Sequence, residues 1–597
     1  MTQGYSNVGD PVINPRDSTQ NDYAVSANLA HTQGKHVTSY GGQFRQTQLN
    51  GYQSNFASGT FSFTVQGYTN NSMANFLLGK PDIFTQAGGD FTRELRGWEL
   101  GSYAQDEYRI SSTLTLNYGV RYEITTPFRD IHNRMMEFAP GHQSTVYPNA
   151  PNGLLFPGDS GVPNTIAPIF KSDWAPRIGF AWNPLGNSRT VIRSAYGIFY
   201  DELLNGVGMP FRATSSALPQ TVVRTLTGYT KINYANPLGT VTNPFAPGQV
   251  ALPASTFTID SKLLPPYAQD WNFTIDQSLG KQNLSVGYIG SKGTRLPRLV
   301  EANPAIYQPG ATFANSPRRR LYSGCTLTTG TCTLGTAGLV EGNANSTFHS
   351  AQASLTRRGT PDLNYTLAYT YSKDLDYSSS LHMSGPAPWL VLGELDIAQN
   401  NQDLSTEHGR SLFDSRHRFA GSVTYAIPFA RGFTGLSRTL LDGWQFSALL
   451  AVNSSTPFTV YDSANVSLQA PHPGVSGMFG DRPNVVGNPN SGAPHKKSQW
   501  VSPSAFQRLD PVANAGQFGN EGRNSVDGPA YGSLDASLDK SFVLSDRSRV
   551  QFRAEAFNVS NHVNLIPPVF DMNSPAFGQI TEAQAPRVLQ FALKFQR

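Results

Sequence analysis

Two carboxylates near the end of the sequence are the first residues whose spacing could support chemistry. Asp535 and Asp539 are four residues apart in an alternating segment, so they share one face of a strand with neighbouring serines. Carboxylates held close together can act as general acid and base on a bound substrate. The same pattern also fits two charges that line a wet interior without any chemical role, and we favour this second interpretation.

Other charged residues alternate with apolar residues in the same way. The charged members fall on one strand face and the apolar members on the other, because side chains alternate across a strand. We expect the charged face to line a water-filled lumen, where these side chains meet water or one another. The candidate lumen-facing charges are Arg121, Glu123, Arg177, Asp535, Asp539, Arg553 and Glu555.

The sequence contains no motif that establishes a catalytic or cofactor site. A phosphate-binding loop, a zinc-protease motif and a nucleophile elbow are all missing. His31 and His36 flank a turn and could suggest a metal pair, but solvated turn histidines are the simpler interpretation. We therefore expect no enzyme activity, no cofactor and no metal.

The charge distribution gives little support to nucleic-acid binding. The net charge is +4, and the longest basic run is the triplet 318–320, which we interpret as part of a solvated loop. We therefore expect no nucleic-acid partner.

Cys325 and Cys332 are the two cysteines of the chain, and they lie in a long loop segment. So low a count excludes a disulfide-rich scaffold and a multi-cysteine metal site. In an oxidising compartment the pair is a candidate disulfide that would make the loop rigid, whereas two free thiols are the alternative.

The segment from Leu114 to Glu123, LTLNYGVRYE, shows the kind of element that must position these groups. Ten extended residues, when tilted, are about the length that crosses the hydrocarbon layer of a bilayer. One face is apolar and the other is polar, which is typical of a strand in the wall of a membrane barrel. The candidate lipid-facing residues are Leu114, Leu116, Tyr118, Val120 and Tyr122.

The alternation recurs along the chain and gives about 17 strands. Short connections alternate with long ones, among them 201–266 and 454–530, which is the layout of outer-membrane barrels. A soluble β-sandwich or propeller also alternates, but it does not explain such long connections after every second strand. Charged residues make up only 14% of the chain, which is low for a soluble surface.

We therefore predict an all-β fold, a transmembrane antiparallel β-barrel with short periplasmic turns and long extracellular loops. Residues 23–597 are expected to form the barrel, and residues 1–22 an N-terminal extension or outer loop. No run of apolar residues is long enough for a transmembrane helix, and the N-terminus lacks the pattern of a signal peptide. The odd strand count and the missing signal peptide together suggest the C-terminal part of a larger protein.

Several stretches together resemble the Oar-like TonB-dependent transporters, a family of large outer-membrane receptors. The stretches are SMANFLLGKP, WELGSYAQDEYRISSTLTLNYGVRYE, WAPRIGFAWNPLGNSRTVIRSAYGIFYDE, YAQDWNFTIDQSLGKQNLSVGYIGSKGTRLPR, YTLAYTYSKDLD, DSRHRFAGSVTYAIPF, LLDGWQFSALLAVNSSTPFTV and VQFRAEAFNVSNHVNL. The resemblance implies a 22-stranded barrel, an N-terminal plug, a TonB box and a preceding β-sandwich. This sequence shows no counterpart of the sandwich, the TonB box, the plug and about the first five strands.

The resemblance implies uptake of a bulky, unidentified solute through the outer membrane of a Gram-negative bacterium. The expected partners are outer-membrane lipid, the solute, and the TonB complex through a plug and TonB box that this chain lacks. Loops 454–530 and 201–266 are the best candidates for solute contact. An adhesion or scaffold barrel, a barrel enzyme and a passive porin are the alternatives.

Overall fold

The computed structural model describes most of the 597 residues. The residues outside the description are 1–7, 11–13, 54–55, 65–66, 166, 188, 202–220, 231, 233, 236, 238–251, 313, 361, 380–397, 401, 429–431, 465, 470–480, 546–547 and 597. Strands are numbered in chain order from β1 to β27.

Fifteen long strands form one continuous antiparallel ladder in which each strand pairs with the next along the ladder. The predicted all-β antiparallel fold is therefore confirmed. The ladder runs through β1 (Arg16–Gln33), β2 (His36–Gln53), β5 (Thr92–Arg109), β6 (Leu114–Thr125), β10 (Phe170–Trp182), β11 (Thr190–Tyr200), β14 (Tyr267–Leu279), β15 (Gln282–Glu301), β16 (Leu334–Arg357), β17 (Leu363–Asp376), β19 (His417–Ile427), β20 (Trp444–Asn453), β25 (Tyr531–Ser545), β26 (Ser548–Phe557) and β27 (Val588–Gln596).

Connections alternate between short and long, as the sequence predicted. Two residues join β1 to β2 and β14 to β15, whereas residues 201–266 join β11 to β14. Gly34 and Gly280 lie in the two tight turns with φ of 59° and 66°, and this left-handed region favours glycine because it has no Cβ. Short turns on one side and long loops on the other match the periplasmic and extracellular sides of an outer-membrane barrel.

The ladder has an apolar face and a polar face. The five apolar residues of β6 that we expected to face lipid share the apolar face, where Tyr118 is 43% and Val120 is 37% exposed. Leu593, 74% exposed on β27, lies on the same face of the far end of the ladder. Large apolar side chains are exposed along the whole ladder, which is what a lipid-facing belt requires.

The two ends of the ladder each have one neighbour among the described strands. Within the described part of the chain, β1 pairs only with β2, and β27 pairs only with β26. Both end strands run toward the short-turn side, because the ladder contains an odd number of strands.

Two segments that the alternation counted as wall strands lie outside the ladder. The segments near Phe61 and Ile83 form β3 (Thr60–Ser62) and β4 (Ile83–Gly89). They belong to a separate three-stranded sheet in which β4 lies between β3 and β12 (Thr221–Thr227). Without these two segments, the expected count of about 17 becomes the observed ladder of 15. A two-residue period is the same in a small sheet and in a wall, so the sequence pattern could not separate them.

The long connections carry short elements of their own. The remaining strands are β7 (Arg129–Asp130), β8 (Glu137–Phe138), β9 (Leu154–Leu155), β13 (Ala254–Ile259), β18 (Gly409–Arg410), β21 (Pro457–Phe458), β22 (Asn484–Val485), β23 (Phe506–Gln507) and β24 (Val526–Asp527). The helices among the described residues are α1 (Ser72–Leu77), α2 (Gly435–Leu441) and two 3₁₀ turns at Ser316–Arg319 and Pro503–Ala505. The Asn71 side chain accepts a hydrogen bond from Ala74 N at 2.9 Å and so caps α1.

The buried apolar residues lie mainly in these connections and at the adjoining strand ends. One cluster joins Leu49 and Leu95 of the wall to Phe128 and Leu263 of the loops. Another, built around Phe458 and Val526, lies within the connection from β20 to β25. The described parts of these loops are therefore packed around hydrophobic cores. None of the described helices combines the length and apolar character needed to span a membrane.

Candidate functional site: the polar face and the long loops

Arg121 and Glu123 belong to a row of alternating charges across three strands of the polar face. Arg121 is ion-paired with Glu123 through its Nε, and its Nη2 lies 3.8 Å from Glu99 Oε1. Arg45 Nη2 reaches the other oxygen of Glu99 at 2.7 Å. Each acid in this row is therefore neutralised by a base, so the row holds the wall together and offers little net charge to a ligand.

Arg177 occupies a different environment in a recess of about 940 Å³ on the same face, which crosses β5, β6, β10, β11 and β14. Its register neighbours are Gly119 on β6 and Gly197 on β11, so neither neighbour places a side chain beside it. The guanidinium carbon lies 4.4 Å from the centroid of the Phe199 ring. The ion pairs among the described residues include none with Arg177, so this cation is open to an anionic group in the recess.

The four charges at the C-terminal end are close together but already have partners. Asp539 Oδ2 accepts a hydrogen bond from Ser537 Oγ at 2.9 Å, and Asp539 Oδ1 lies 3.2 Å from Arg553 Nε. Arg553 also reaches Glu555 at 3.1 Å. Asp535 instead accepts a hydrogen bond from the backbone N–H of Asn558 at 2.8 Å. The two aspartates therefore stabilise the wall and the start of the next loop, which leaves the acid–base interpretation without support.

A buried charge network, which the sequence did not reveal, joins two long loops above the ladder. Arg523 is ion-paired with Asp376 and donates to Glu407 O at 2.9 Å and to Ser379 Oγ at 3.0 Å. Arg482 is ion-paired with Glu407. The side chains of both arginines are at most 3% exposed. Loops 377–416 and 454–530 are therefore held to each other and to the end of β17, and we call these residues the loop network.

Glu521 lies beside the loop network and is fully buried. Its Oε1 accepts hydrogen bonds from Ser525 Oγ at 2.9 Å and from Val460 N at 3.2 Å, whereas Oε2 has no hydrogen-bond partner among the described residues. Burial raises the pKa of Glu521 to about 8, although these hydrogen bonds and Arg482 act in the opposite direction. The carboxyl group is therefore mostly protonated at neutral pH.

The basic triplet 318–320 is not a solvated loop segment, and that interpretation was wrong for two of its members. Arg319 and Arg320 are 3% and 6% exposed. Arg319 donates to Leu468 O at 2.6 Å, and Arg320 Nη1 lies 3.5 Å from Glu301 Oε2. A guanidinium group has several donors, so it can bind several backbone carbonyls of a folded loop. The local charge pattern in the sequence is the same for such a buried arginine and for an arginine exposed to water.

Cys325 and Cys332 are joined by a disulfide, with their Cα atoms 4.7 Å apart. Arg318 lies over the small loop that the disulfide closes. Its Nη1 donates to Thr326 O at 3.1 Å and to Thr329 O and Gly330 O, each at 3.3 Å. The bond and the guanidinium together make this loop rigid.

The two loops expected to contact a solute differ in what the structure describes. Most of 454–530 is described and contains its own core, whereas residues 202–220 and 238–251 of the other loop lie outside the description. In the part of the chain that is described, no group of three or more His, Cys, Asp or Glu side chains could hold a metal ion.

Comparison with known proteins supports one family. The model of the outer membrane beta barrel domain family matches residues 1–590. None of the curated protein sequences matches the chain.

Comparison with solved structures matches this chain to large outer-membrane proteins. The outer membrane transporter YddB from Escherichia coli has 11% identity and a TM-score of 0.48, and the match covers 97% of this chain and 54% of that one. The siderophore receptor PirA from Acinetobacter baumannii has 9% identity and a TM-score of 0.45, with 97% and 55% covered. The ferripyoverdine receptor of Pseudomonas aeruginosa has 10% identity and a TM-score of 0.43, with 97% and 48% covered. The chain thus spans about half the length of these proteins.

Proposed function

Because this chain belongs to the outer membrane beta barrel domain family, we propose that it forms the wall of a TonB-dependent transporter. Its location is the outer membrane. The solute in this proposal is bulky and crosses on the polar side of the wall, while the TonB complex supplies the energy through a plug.

The observation that carries the proposal is the recess around Arg177. A wall that only anchors an adhesin has no need for an open cation on its polar face, because an unpaired charge there gains nothing in stability. Gly197 carries no Cβ that would collide with the Phe199 ring, so this ring can lie against the guanidinium and offer an aromatic surface next to it. This combination suits transient contact with an anionic group of a passing solute.

The loop network supports an entry role for the long loops. Charges that are buried in pairs fix two loops in one arrangement, so that a shaped surface faces the outside. Sites held by packed elements recognise ligands better than free loops do, since less conformational entropy is lost on binding. In this proposal the loops select the solute and the polar wall passes it inward.

The test is uptake of labelled solutes by cells that carry or lack the gene encoding this chain. A panel of ferric siderophores, oligosaccharides and peptides serves as the probe, with and without a protonophore. We expect uptake of at least one class that requires both the gene and the proton gradient. Arg177→Glu should slow this uptake several-fold, whereas Arg549→Glu, on the polar face outside the recess, should leave it unchanged.

Two results would contradict the proposal. Uptake that continues with the protonophore would identify a passive pore. Loss of cell attachment without any change in uptake would identify an adhesion or scaffold barrel.

A further inference from the structure

A short sequence pattern occurs twice on neighbouring hairpins of the ladder. Residues 288–292 of β15 read YIGSK, and residues 369–373 of β17 read YTYSK. In both, a tyrosine and a lysine four residues apart lie on the apolar face, in register with the other lipid-facing side chains. The repeat places the same two groups on two strands that are separated only by β16.

A histidine on the next strand completes each copy. His349 of β16 lies beside Tyr288, with 2.6 Å between the hydroxyl and Nδ1. His417 of β19 lies beside Tyr369, with 2.8 Å between the same atoms. When the tyrosine hydroxyl donates to Nδ1, the ring carries its proton on Nε2 and can donate it to a further group.

The register brings the four basic side chains into one patch. His349 is directly opposite Lys373, so their Cβ atoms are about 5 Å apart. Lys292 is diagonal to His349, and His417 is diagonal to Lys373, at about 7–8 Å. We call Lys292, His349, Lys373 and His417 the basic patch.

The basic patch has no acidic partner in the described part of the chain. All four side chains are exposed, and none belongs to an ion pair of the described residues. The nearest acid along the sequence, Asp374, lies on the opposite face of β17. The two lysines face away from the polar wall and have no ion-pair partner among the described residues, so neither the lumen nor an ion pair within the wall accounts for them.

The position of the basic patch along the strands points to its surroundings. On β17 the apolar face runs from Leu363 through Leu367 and Tyr371 before it reaches Lys373. Ten residues of a tilted strand rise about 25 Å, which is the height of the apolar belt of an outer-membrane barrel. The patch therefore lies where the extracellular side of the belt meets the lipid headgroups, beside aromatic rings such as Trp271, whose centroid is 6.1 Å from that of His349.

We propose that the basic patch binds a phosphate-bearing glycolipid of the outer leaflet. The lysines and the histidine Nε2 atoms supply donors to the phosphate oxygens, while Tyr288, Tyr369 and Trp271 contact the sugar and the first acyl carbons. The occupant is a lipid rather than a soluble anion, because the patch continues directly into the apolar belt on the lipid-facing side. The inference requires only that the chain lies in the outer membrane, so it does not depend on transport.

The experiment is a titration of the purified full-length chain in detergent with diphosphoryl lipid A, followed by native mass spectrometry. The test variant is K292Q/K373Q. A lysine near an anionic lipid surface changes affinity about fivefold, so we expect about 25-fold weaker binding. K292R/K373R should keep the affinity, and K281Q, which removes the same charge from the turn at the other end of the β14–β15 hairpin, should also keep it.

The comparison of probes decides the chemistry. Fully dephosphorylated lipid A should bind as weakly to the unmodified chain as diphosphoryl lipid A binds to K292Q/K373Q. Equal binding of both lipids, or full affinity in K292Q/K373Q, would overturn the proposal and leave only a general apolar belt. Displacement of bound lipid A by inorganic phosphate alone would equally contradict a lipid site. Binding of dephosphorylated lipid A by K292Q/K373Q with the same affinity as by the unmodified chain would show that its weaker binding of diphosphoryl lipid A is not a failure to fold.

Discussion

The assignment of the two faces of β6 can be tested by moving one charge along the strand. Lysine placed on the apolar face must either enter the hydrocarbon or extend to an interface, whereas lysine on the polar face meets water. Val120→Lys and Leu116→Lys change the same face at different heights, and Asn117→Lys changes the opposite face between them. The three variants therefore separate the effect of the face from the effect of depth.

The expected magnitudes follow from the geometry of the strand. At about 3.3 Å per residue and a tilt of about 40°, Val120 lies about 15 Å and Leu116 about 5 Å above Leu114. In an apolar belt about 25 Å tall, Val120 is near the midplane and Leu116 is near the periplasmic edge. Lysine costs about 2–4 kcal/mol at the midplane and about 0–1 kcal/mol near the interface. Asn117→Lys should cost no more than the interface value.

The assay is reversible folding of the full chain into phosphatidylcholine vesicles, with the free energy of unfolding taken from denaturant titration by tryptophan fluorescence. The expected order of destabilisation is Val120→Lys, then Leu116→Lys, then Asn117→Lys. If Val120→Lys costs no more than Asn117→Lys, the apolar face does not contact lipid and the reasoning fails. If Leu116→Lys costs as much as Val120→Lys, the height assigned to the strand is wrong.

Three further predictions concern the loops. Arg523→Met should destabilise the joined loops by about 3–5 kcal/mol, because it leaves the buried Asp376 without a counter-charge; hydrogen exchange of 402–416 should accelerate, and unchanged protection would contradict the loop network. Because the pKa of Glu521 is raised to about 8 in the folded state, folding favours the protonated form, and stability falls as pH rises from about 4.5 to 8. Glu521→Gln should remove this part of the pH dependence in thermal unfolding at several pH values, and a native-like slope in the variant would refute the assignment. Replacing both cysteines, by Cys325→Ser and Cys332→Ser, should lower the stability of this eight-residue loop by about 2.5 kcal/mol and should speed proteolysis within 318–333. Equal cleavage rates with and without the disulfide would show that the other contacts of the loop are enough to keep it rigid.

The loops show why part of the site was missed. Arg482 and Glu407 are 75 positions apart in the sequence and become partners only when two long loops fold against each other. Arg319 looked like one member of a solvated basic run, yet it is buried among carbonyls from two loops. The sequence pattern around each residue reports its nearest neighbours along the chain, and these contacts are between residues that are distant in sequence.

The recess around Arg177 was foreseen only as one charge on a polar face. The alternation placed Arg177 on the correct face of its strand, but the glycines beside it come from two other strands. Their positions follow from the pairing register, which depends on turn lengths and on packing across the whole ladder. An open cation and a paired cation such as Arg121 have the same local pattern.

The sequence by itself determined the strands, their two faces and the alternation of short and long connections. These features are local, because each side chain's face follows from a two-residue period and each tight turn from one or two residues such as Gly34. Only the tertiary structure decided which alternating segments join the wall, which charges are neutralised, and how the long loops pack. Those outcomes depend on the free energy of contacts between segments that are distant in the sequence. A short stretch of sequence includes only one side of each such contact.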